Sequence, residues 1–553
     1  MEKSMFYKNR AYYSDIQKYI FDCCQKYSEN VFCRYLKKGE VKCNTYGDMI
    51  QCVNMIGSYL YVRGFHNKHI ALLGKTSFEW IATYLAALSY GIVVVPIDKA
   101  LSNEEMLKQI EFSDSEMLFF DPEYSDVAEY VHKNSNQCNS FVALTDDEKL
   151  GEFDTLKSLA VSNISFINVP TLNPESLSEI VFTSGTTGNS KGVMLSNKNI
   201  VSTVMFGIRL VDMKPKDVVL SIMPNNHTYE LSVGIMTPMY FGMSIAINDS
   251  LKRFKQNFLK FKPTTMIVVP ALLHMVKNQI VSEIESKGKK NKFIIAQKIA
   301  GFLRVLGIDI RRKLFSDIID GLGGELKSLI CGGAFLSDEL MSFYDSIGIN
   351  IIQGYGITEC SPIVSCNTDR KTRKLGEVGP YCTVKCVDGE ICVFGDNVMM
   401  GYYKNPNETQ KVLVDGWFHT GDLGNVDKKN CLSLSGRIKN LIINSNGENV
   451  SPEEIENHLA FIDLIANAVV YGEDDLIAVE IYPNHNYIEA NGIVDVEAEM
   501  YRVIDEVNKK LPRKMHIERI HIRKEPFEMT TTMKIKRHNL KKIKGNKGDR
   551  NVN

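Results

Sequence analysis

Ile180 to Gly192 reads IVFTSGTTGNSKG. An apolar run, Ile180, Val181 and Phe182, gives way to hydroxyls and glycines, and Lys191 follows. A buried strand that delivers a loop of small residues leaves many backbone N–H groups to face an anion, and the lysine adds one mobile cation. Gly185 and Gly188 let the backbone approach a phosphate, while Thr183, Ser184, Thr186 and Thr187 carry hydroxyl donors. The spacing from Gly185 to Lys191 fits GxxxxGK[ST], but Ser190 stands where the second glycine belongs and Gly192 where the Ser or Thr belongs. This is a phosphate cradle of another kind, and taken alone such a run is more often an ordinary loop.

Upstream the texture is α/β. A helix over residues 16–27 precedes a strand over 31–35, and an amphipathic helix over 46–63 turns Met49, Val53, Ile56 and Leu60 to one side. The strand His69–Leu73 leads to a helix with Trp80, Tyr84, Leu85 and Leu88 on one face, closed by Gly91. Residues 92–97, IVVVPI, are a strand apolar on both faces, as inside a parallel sheet. Helix Asn103–Phe112, strand 116–120, helix 126–132 and strand 140–145 repeat the alternation, and residues 146–176 are polar and loop-like.

Downstream, strands over 217–222 and 266–269 alternate with helices over 231–241 and 271–280. Residues 281–324 differ: a basic stretch (Lys287, Lys289, Lys290, Lys292) leads into apolar helical turns through Ile294, Ile295, Ile299, Phe302, Leu303, Leu306, Ile310, Leu314 and Ile318. They read as a helical insertion whose apolar side packs in the core; a membrane- or lipid-facing surface is the other reading. Strands over 329–333 and 349–353 each enter a loop of chemical interest, CGGAFLS and GYGITECSP. Residues 376–436 break into short strands and turns, a small β subdomain. From 437 to 540 the pattern is a compact α+β unit, with strands over 441–443, 466–471, 477–482 and 517–522 and helices Pro452–Leu459 and 496–510. The tail 541–553 is basic and polar and expected to be frayed.

A chain of 553 residues exceeds one core. Its 44% hydrophobic and 24% charged content is that of a soluble globular protein. A net charge of −1 offers no basic field for nucleic acid. The 13 cysteines include no CxxC pair, which argues against a zinc or redox motif and suits reduced thiols in a reducing cytosol. MEKSMFYKNRAYYSD lacks a signal-peptide apolar core, and no window reaches the ~18 apolar residues of a spanning helix. The expectation is a cytoplasmic protein, with peripheral membrane contact left open.

TSGTTGNSKG resembles the phosphate loop of the adenylate-forming superfamily, which includes acyl-CoA synthetases, aryl-CoA ligases, luciferases and peptide-synthetase adenylation domains. Four further segments match that family in order: QGYGITE at 353–359, HTGDLG at 419–424, GRIKNLIINSNGENVSPEEIE at 436–456 and TTTMKIKR at 530–537. The resemblance implies a large N-terminal domain, 1–436, of layered α/β subdomains with a β subdomain, followed by a small mobile α+β lid domain, 437–540. It implies that ATP activates a carboxylate, which attacks the α-phosphorus and releases pyrophosphate.

The family's roles fall on particular residues. Thr183, Ser184, Gly185, Thr186, Thr187, Gly188 and Lys191 would hold the β- and γ-phosphates. Glu359 would bind Mg²⁺, Thr358 the phosphate, and Tyr355 would stack on adenine with Gly333, Ala334, Gln353 and Gly354 at its edge. Asp422 would take the ribose hydroxyls, and Arg437 the ribose or phosphate. Lys534 would stabilise charge in the transition state, with Lys536 as its near competitor, although Met533 replaces the usual glycine before it. Lys439 falls at the hinge between an adenylating and a thioester-forming arrangement, and Gly447 in a loop that faces the thiol channel in the second. His227, in MPNNHTYE, would border the carboxylate entrance, with Glu230 bracing the loop.

Ile443 replaces a second lysine found in several relatives, and SNGENVSPEEIE resembles the long-chain acyl branch. The expected activity is therefore an ATP-dependent ligase joining a medium- to long-chain fatty acid to CoA. Loading of the same acyl group onto the phosphopantetheine of an acyl carrier protein is the alternative, and the motifs do not separate the two. A non-catalytic nucleotide-binding protein is a third reading, opposed by the presence of Lys191, Glu359, Asp422 and Lys534.

Overall fold

Valine and isoleucine are stiff, branched side chains that fill both faces of a pleated strand. Accordingly, Val93–Ile97 is buried at every position. It runs parallel to its neighbours Leu177–Thr183 and His69–Leu73. These belong to an eight-stranded sheet ordered Gly401–Tyr402, Lys191–Ser196, Leu177–Thr183, Val93–Ile97, His69–Leu73, Ser115–Phe120, Ser140–Ala143, Asp154–Thr155. The computed structural model describes residues 10–147, 150, 153–160, 167, 171–183, 190–367, 375–443, 447–460, 462–530 and 534–537.

Helix Phe78–Ser89 starts where the Ser77 hydroxyl accepts the Trp80 N–H. Rather than presenting one apolar face, it is buried everywhere except at Glu79. Helices Ile16–Lys26 and Tyr46–Val62 cover it on one side and strands of the sheet on the other.

A second sheet carries the chemistry. Asn350–Tyr355, Ser328–Cys331, Thr265–Val268, Val218–Ser221, Ser244–Ile247 and Val31–Lys37 lie side by side, all parallel. Antiparallel strands flank this set: Glu40–Thr45 beyond Val31–Lys37, and Ser365–Asn367 then Gly376–Val378 beyond Asn350–Tyr355.

Between Thr265–Val268 and Ser328–Cys331 lies the expected insertion, helices Pro270–Ser286, Lys290–Val305, Arg311–Leu314 and Ser316–Gly321. Leu272, Leu273, Phe315 and Ile319 are buried, but the apolar side of helix Lys290–Val305 does not enter the core. Only Ala300 of Lys290–Val305 is buried. The helix is held by Phe293 against Phe315 and Phe343, Gln297 on Ser346 and Arg304 on Asp345, which turns its other residues outward.

The chain forms two compact units. Described residues up to Thr383, with Val393–Phe418, make the first; Val384–Cys392 and the described residues from His419 onward make the second. Residues 419–436 thus join the C-terminal unit, ahead of the expected boundary at 437. Strand Cys431–Arg437 packs on helix Pro452–Leu459, which draws it there. Within the second unit, strands Ile465–Glu473 and Leu476–Pro483 pair antiparallel, and Arg519–Ile522 adds parallel. Helices Pro452–Leu459 and Val496–Asn508 close a core that includes Ile455, Leu459, Val479, Met500 and Ile504. The tail 541–553 lies outside the described residues. Among those described, no helix is long and apolar enough to cross a membrane.

Candidate active site

Because Val218–Ser221, Thr265–Val268, Ser328–Cys331 and Asn350–Tyr355 are parallel, their C-terminal ends share one edge. Open α/β sheets take ligands along that edge. Here it releases the segment holding His227, the Gly332–Gly333–Ala334 turn and the 353–359 segment. Gly333 has φ +82°, a conformation that favours glycine, and both Gly333 and Ala334 are exposed. Gln353 faces Cys331 across the parallel pair and Asn367 across the antiparallel one. Its Oε1 is buried without a hydrogen-bond partner among the described residues. Such an acceptor suits a donor brought by a ligand, as a purine amino group would be. Gly354 is partly buried and Tyr355 buried, and Thr358 opens a single 3₁₀ turn, Thr358–Cys360. Gly356 has no room for a side chain: a Cβ there would lie 1.5 Å from the Pro362 carbonyl oxygen.

Glu359, on that turn, is nearly buried at 8% exposure. The Tyr402 hydroxyl donates to its Oε1 at 2.9 Å, and its backbone carbonyl accepts the Met399 N–H. Burial and the Glu359 carboxylate push the Tyr402 phenol well up. A buried, oriented carboxylate is a hard oxygen donor of the kind that Mg²⁺ takes.

Thr183 and Lys191 face each other where Leu177–Thr183 pairs with Lys191–Ser196, and the Ser190 hydroxyl donates to the Thr183 carbonyl. Ser184, Gly185, Thr186, Thr187 and Gly188 lie outside the described residues. Lys191 Nζ sits 2.6 Å from Glu408 Oε2 and 4.8 Å above the Tyr402 ring. Lys191 and Lys411 hold the Glu408 carboxyl down to about 2.

His227 is partly buried. The chain then enters a π-helical stretch, Glu230–Met236, followed by the short α-helix Thr237–Tyr240, within the helix expected over 231–241. The π-helical stretch opens on Glu230, whose fully buried carboxyl group accepts the Ser221 hydroxyl on Oε1 while Oε2 has no partner among the described residues. Gly234 leaves room for it, since a Cβ there would lie 2.9 Å from the carboxylate. Burial pushes this carboxyl up to about 8, against the Ser221 hydroxyl and the Met223 backbone. Tyr229 Oη donates to the Ile330 carbonyl at 2.9 Å and so ties this segment to the next strand's end.

The second unit gathers another set. Asp422 and Arg437 face each other on the paired strands Trp417–Val426 and Cys431–Arg437, with Arg437 Nε 2.7 Å from Asp422 Oδ1. Asp422 is buried and Arg437 half exposed. Lys534 is electrostatically coupled to both. Solvent reaches its side chain, yet crowding by protein lowers its pKa to about 8, helped by Arg437 and opposed by Asp422. The Lys534 backbone is fixed by two hydrogen bonds with Thr530, and Met529 bridges Ile535. Lys439 is exposed in the turn Ile438–Asn440, and Gly447 is exposed with φ +75°. Met533 lies outside the described residues.

Tyr402 and Glu408 contact the candidate residues Glu359 and Lys191 but escape the motifs. Their only trace in the sequence is GYYKNPNET at 401–409, where Asn405 caps a helix that begins with proline, Pro406–Val412.

The family described as AMP-binding enzyme matches residues 20–403, and its C-terminal domain matches 439–543. Long-chain-fatty-acid–CoA ligase 5 of Rattus norvegicus is 29% identical over 522 residues, covering 85% of this chain and 76% of its own. Long chain acyl-CoA synthetase 4 of Arabidopsis thaliana is 27% identical, covering 92% of this chain and 86% of its own. Among solved structures, the adenylation domain of a Mycobacterium chelonae carboxylate reductase superposes with a TM-score of 0.81 at 20% identity, covering 96% of this chain and 89% of that one. The anthranilate CoA ligase AuaEII, in complex with anthranoyl-AMP, gives 0.79 at 17% identity, covering 97% and 98%.

Proposed function

The chain belongs to the AMP-binding enzyme family, and from that premise we propose that it joins a medium- to long-chain fatty acid to CoA in two steps. First, a carboxylate oxygen of the fatty acid attacks the α-phosphorus of ATP; the bond to the pyrophosphate breaks, and acyl-adenylate and pyrophosphate result. Then the CoA sulfur attacks the acyl carbon, AMP leaves with the carboxyl oxygen, and the thiol proton is lost to solvent. An acyl phosphate is electrophilic enough that no cysteine nucleophile is required. The observation that carries the substrate class is that curated relatives matching most of the chain bear long-chain acyl names.

In this reading Lys191 and the loop before it hold the β- and γ-phosphates, and Thr358 holds phosphate. Tyr355 stacks on adenine, whose edge meets Gly333, Ala334, Gln353 and Gly354. Asp422 accepts from the ribose hydroxyls, with Arg437 beside it. Glu359, oriented by Tyr402, would hold Mg²⁺, which supplies charge neutralisation among the phosphate oxygens when bound. Lys534 stabilises the charge that builds at the α-phosphate and carboxylate. His227 borders the entry of the carboxylate. Lys439 is the pivot about which Lys534 gives way to the Gly447 loop for thioester formation. A lipid substrate goes with a cytoplasmic enzyme that meets membranes peripherally.

ATP–pyrophosphate exchange with saturated acids from octanoic to stearic, and with acetate and benzoate as controls, tests the substrate. Exchange should peak among the fatty acids, and its absence with every one of them overturns the reading. Thioester assays with CoA and with holo acyl carrier protein then identify the acceptor; product on the carrier alone would replace CoA with the carrier.

A further inference from the structure

Helix Lys290–Val305 turns an apolar stripe to solvent. Ile295, Ile299, Phe302 and Leu306 recur at i, i+4, i+7 and i+11, one face of a helix. Phe302 is 67% exposed, and Val305, beside the stripe, 85%. Isolated apolar residues on a surface need no explanation, but a continuous stripe of large ones does.

The charges around the stripe say what it meets. Residues 287–314 hold nine lysines and arginines and a single acid, Asp309. Asp309 is bound by Arg311, and the acids at the rim are also taken: Glu283 by Lys287 and Lys255, Glu285 by Lys290, and Asp345 by Arg304 and Arg311. Lys292 and Lys298 flank the stripe on its two sides, and no ion pair engages them or Lys313 among the described residues. A symmetric contact with a second copy would set this cationic surface against itself. A bilayer with anionic headgroups accepts both parts: the apolar residues enter the headgroup–acyl boundary, and the lysines reach up to the phosphates. We propose that the outward face of helix Lys290–Val305 docks the protein on anionic lipid membranes. Residues 270–327 leave the sheet at the C-terminal end of Thr265–Val268, on the edge of the candidate site, and re-enter it at Ser328, on the opposite edge. The inference does not depend on the acyl substrate, because it concerns binding alone.

The test is flotation of the full-length protein with vesicles of phosphatidylcholine alone and of phosphatidylcholine mixed with phosphatidylglycerol. Wild type should float with the mixed vesicles, far less with the neutral ones, and less as salt rises. Lys292→Glu and Lys298→Glu should each weaken partitioning at least about five-fold, and Ile299→Glu with Phe302→Glu should abolish it. Phe302→Trp should shift its emission to the blue on mixed vesicles. All variants should keep wild-type ATP–pyrophosphate exchange with octanoate, or, should no acid support exchange, the wild-type thermal midpoint. Three results would overturn the proposal: no flotation of wild type with mixed vesicles, undiminished flotation of the variants, or a wild-type dimer in sedimentation velocity that Phe302→Glu dissociates.

Discussion

Lys534 combines access to solvent with a pKa lowered to about 8. Below that value it carries the charge its role needs; as pH rises through it the ammonium loses its proton. ATP–pyrophosphate exchange should therefore fall as pH climbs past about 8, and Lys534→Arg, weaker but always charged, should lack that decline. Lys534→Ala should cost exchange about 10²–10³-fold while sparing thioester formation from supplied acyl-adenylate; equal loss of both steps would contradict a lysine used only in the first. At this scale the sequence singles out candidates by motif spacing, Lys534, Asp422 and Arg437 among them, and the structure sets Asp422 opposite Arg437. The sequence does not reveal partners brought together from afar. Tyr402 reaches Glu359 across 43 positions, and Glu408 reaches Lys191 across 217. The rule that links them is the sheet pairing of Gly401–Tyr402 with Lys191–Ser196, a long-range contact that leaves no local pattern.

The segment from Gln353 to Glu359 works as an element because a backbone packs where a side chain would go. With a Cβ at Gly356 driven into the Pro362 carbonyl, Gly356→Ala should destabilise the protein by about 3 kcal/mol or more, or displace the turn that carries Glu359. Urea unfolding measures the first and magnesium dependence of exchange the second; a variant unchanged in both would show that the turn adapts freely. Strong elements were legible in the sequence: the doubly buried strand Val93–Ile97 by its valines, and helix Asn103–Phe112 by its bounds. Helix Asn197–Leu210 was not. Its asparagines and β-branched residues have low helix propensity, and burial of most of its length sustains it instead. Its N-terminal capping box uses Asn199 rather than Glu or Gln, which hides the usual signal. Strand Ser244–Ile247 was not read from the sequence either.

For the whole molecule, alternation of apolar strands and helices indicates parallel sheets, and two of them are there. What alternation does not indicate is strand order: Val31–Lys37, from the start of the chain, lies next to Ser244–Ile247. The core of the C-terminal part is drawn entirely from residues 442–520, with peripheral contacts to Ile522. A fragment of residues 438–543 should accordingly fold alone with one cooperative transition in circular dichroism and dispersed amide resonances. A non-cooperative, undispersed fragment would mean that this core is insufficient. The amphipathic insertion marks the limit of composition as a guide. Its apolar residues suggested core, and exposure of most of them emerged only with the neighbouring helices in place.

The Lys191–Glu408 pair has a consequence for selectivity. Lys191, the cation proposed to hold phosphate, already has a resident anion, one that stays ionised down to about pH 2 and so is not released by mild acid. Any incoming anion must outcompete it. A lone phosphate offers Lys191 little more charge than the carboxylate it would displace, whereas a polyphosphate brings several charges and engages the hydroxyls and backbone alongside. An internal competitor of this kind sets a threshold, and it sorts ligands by the number of their charges before any base or sugar is read.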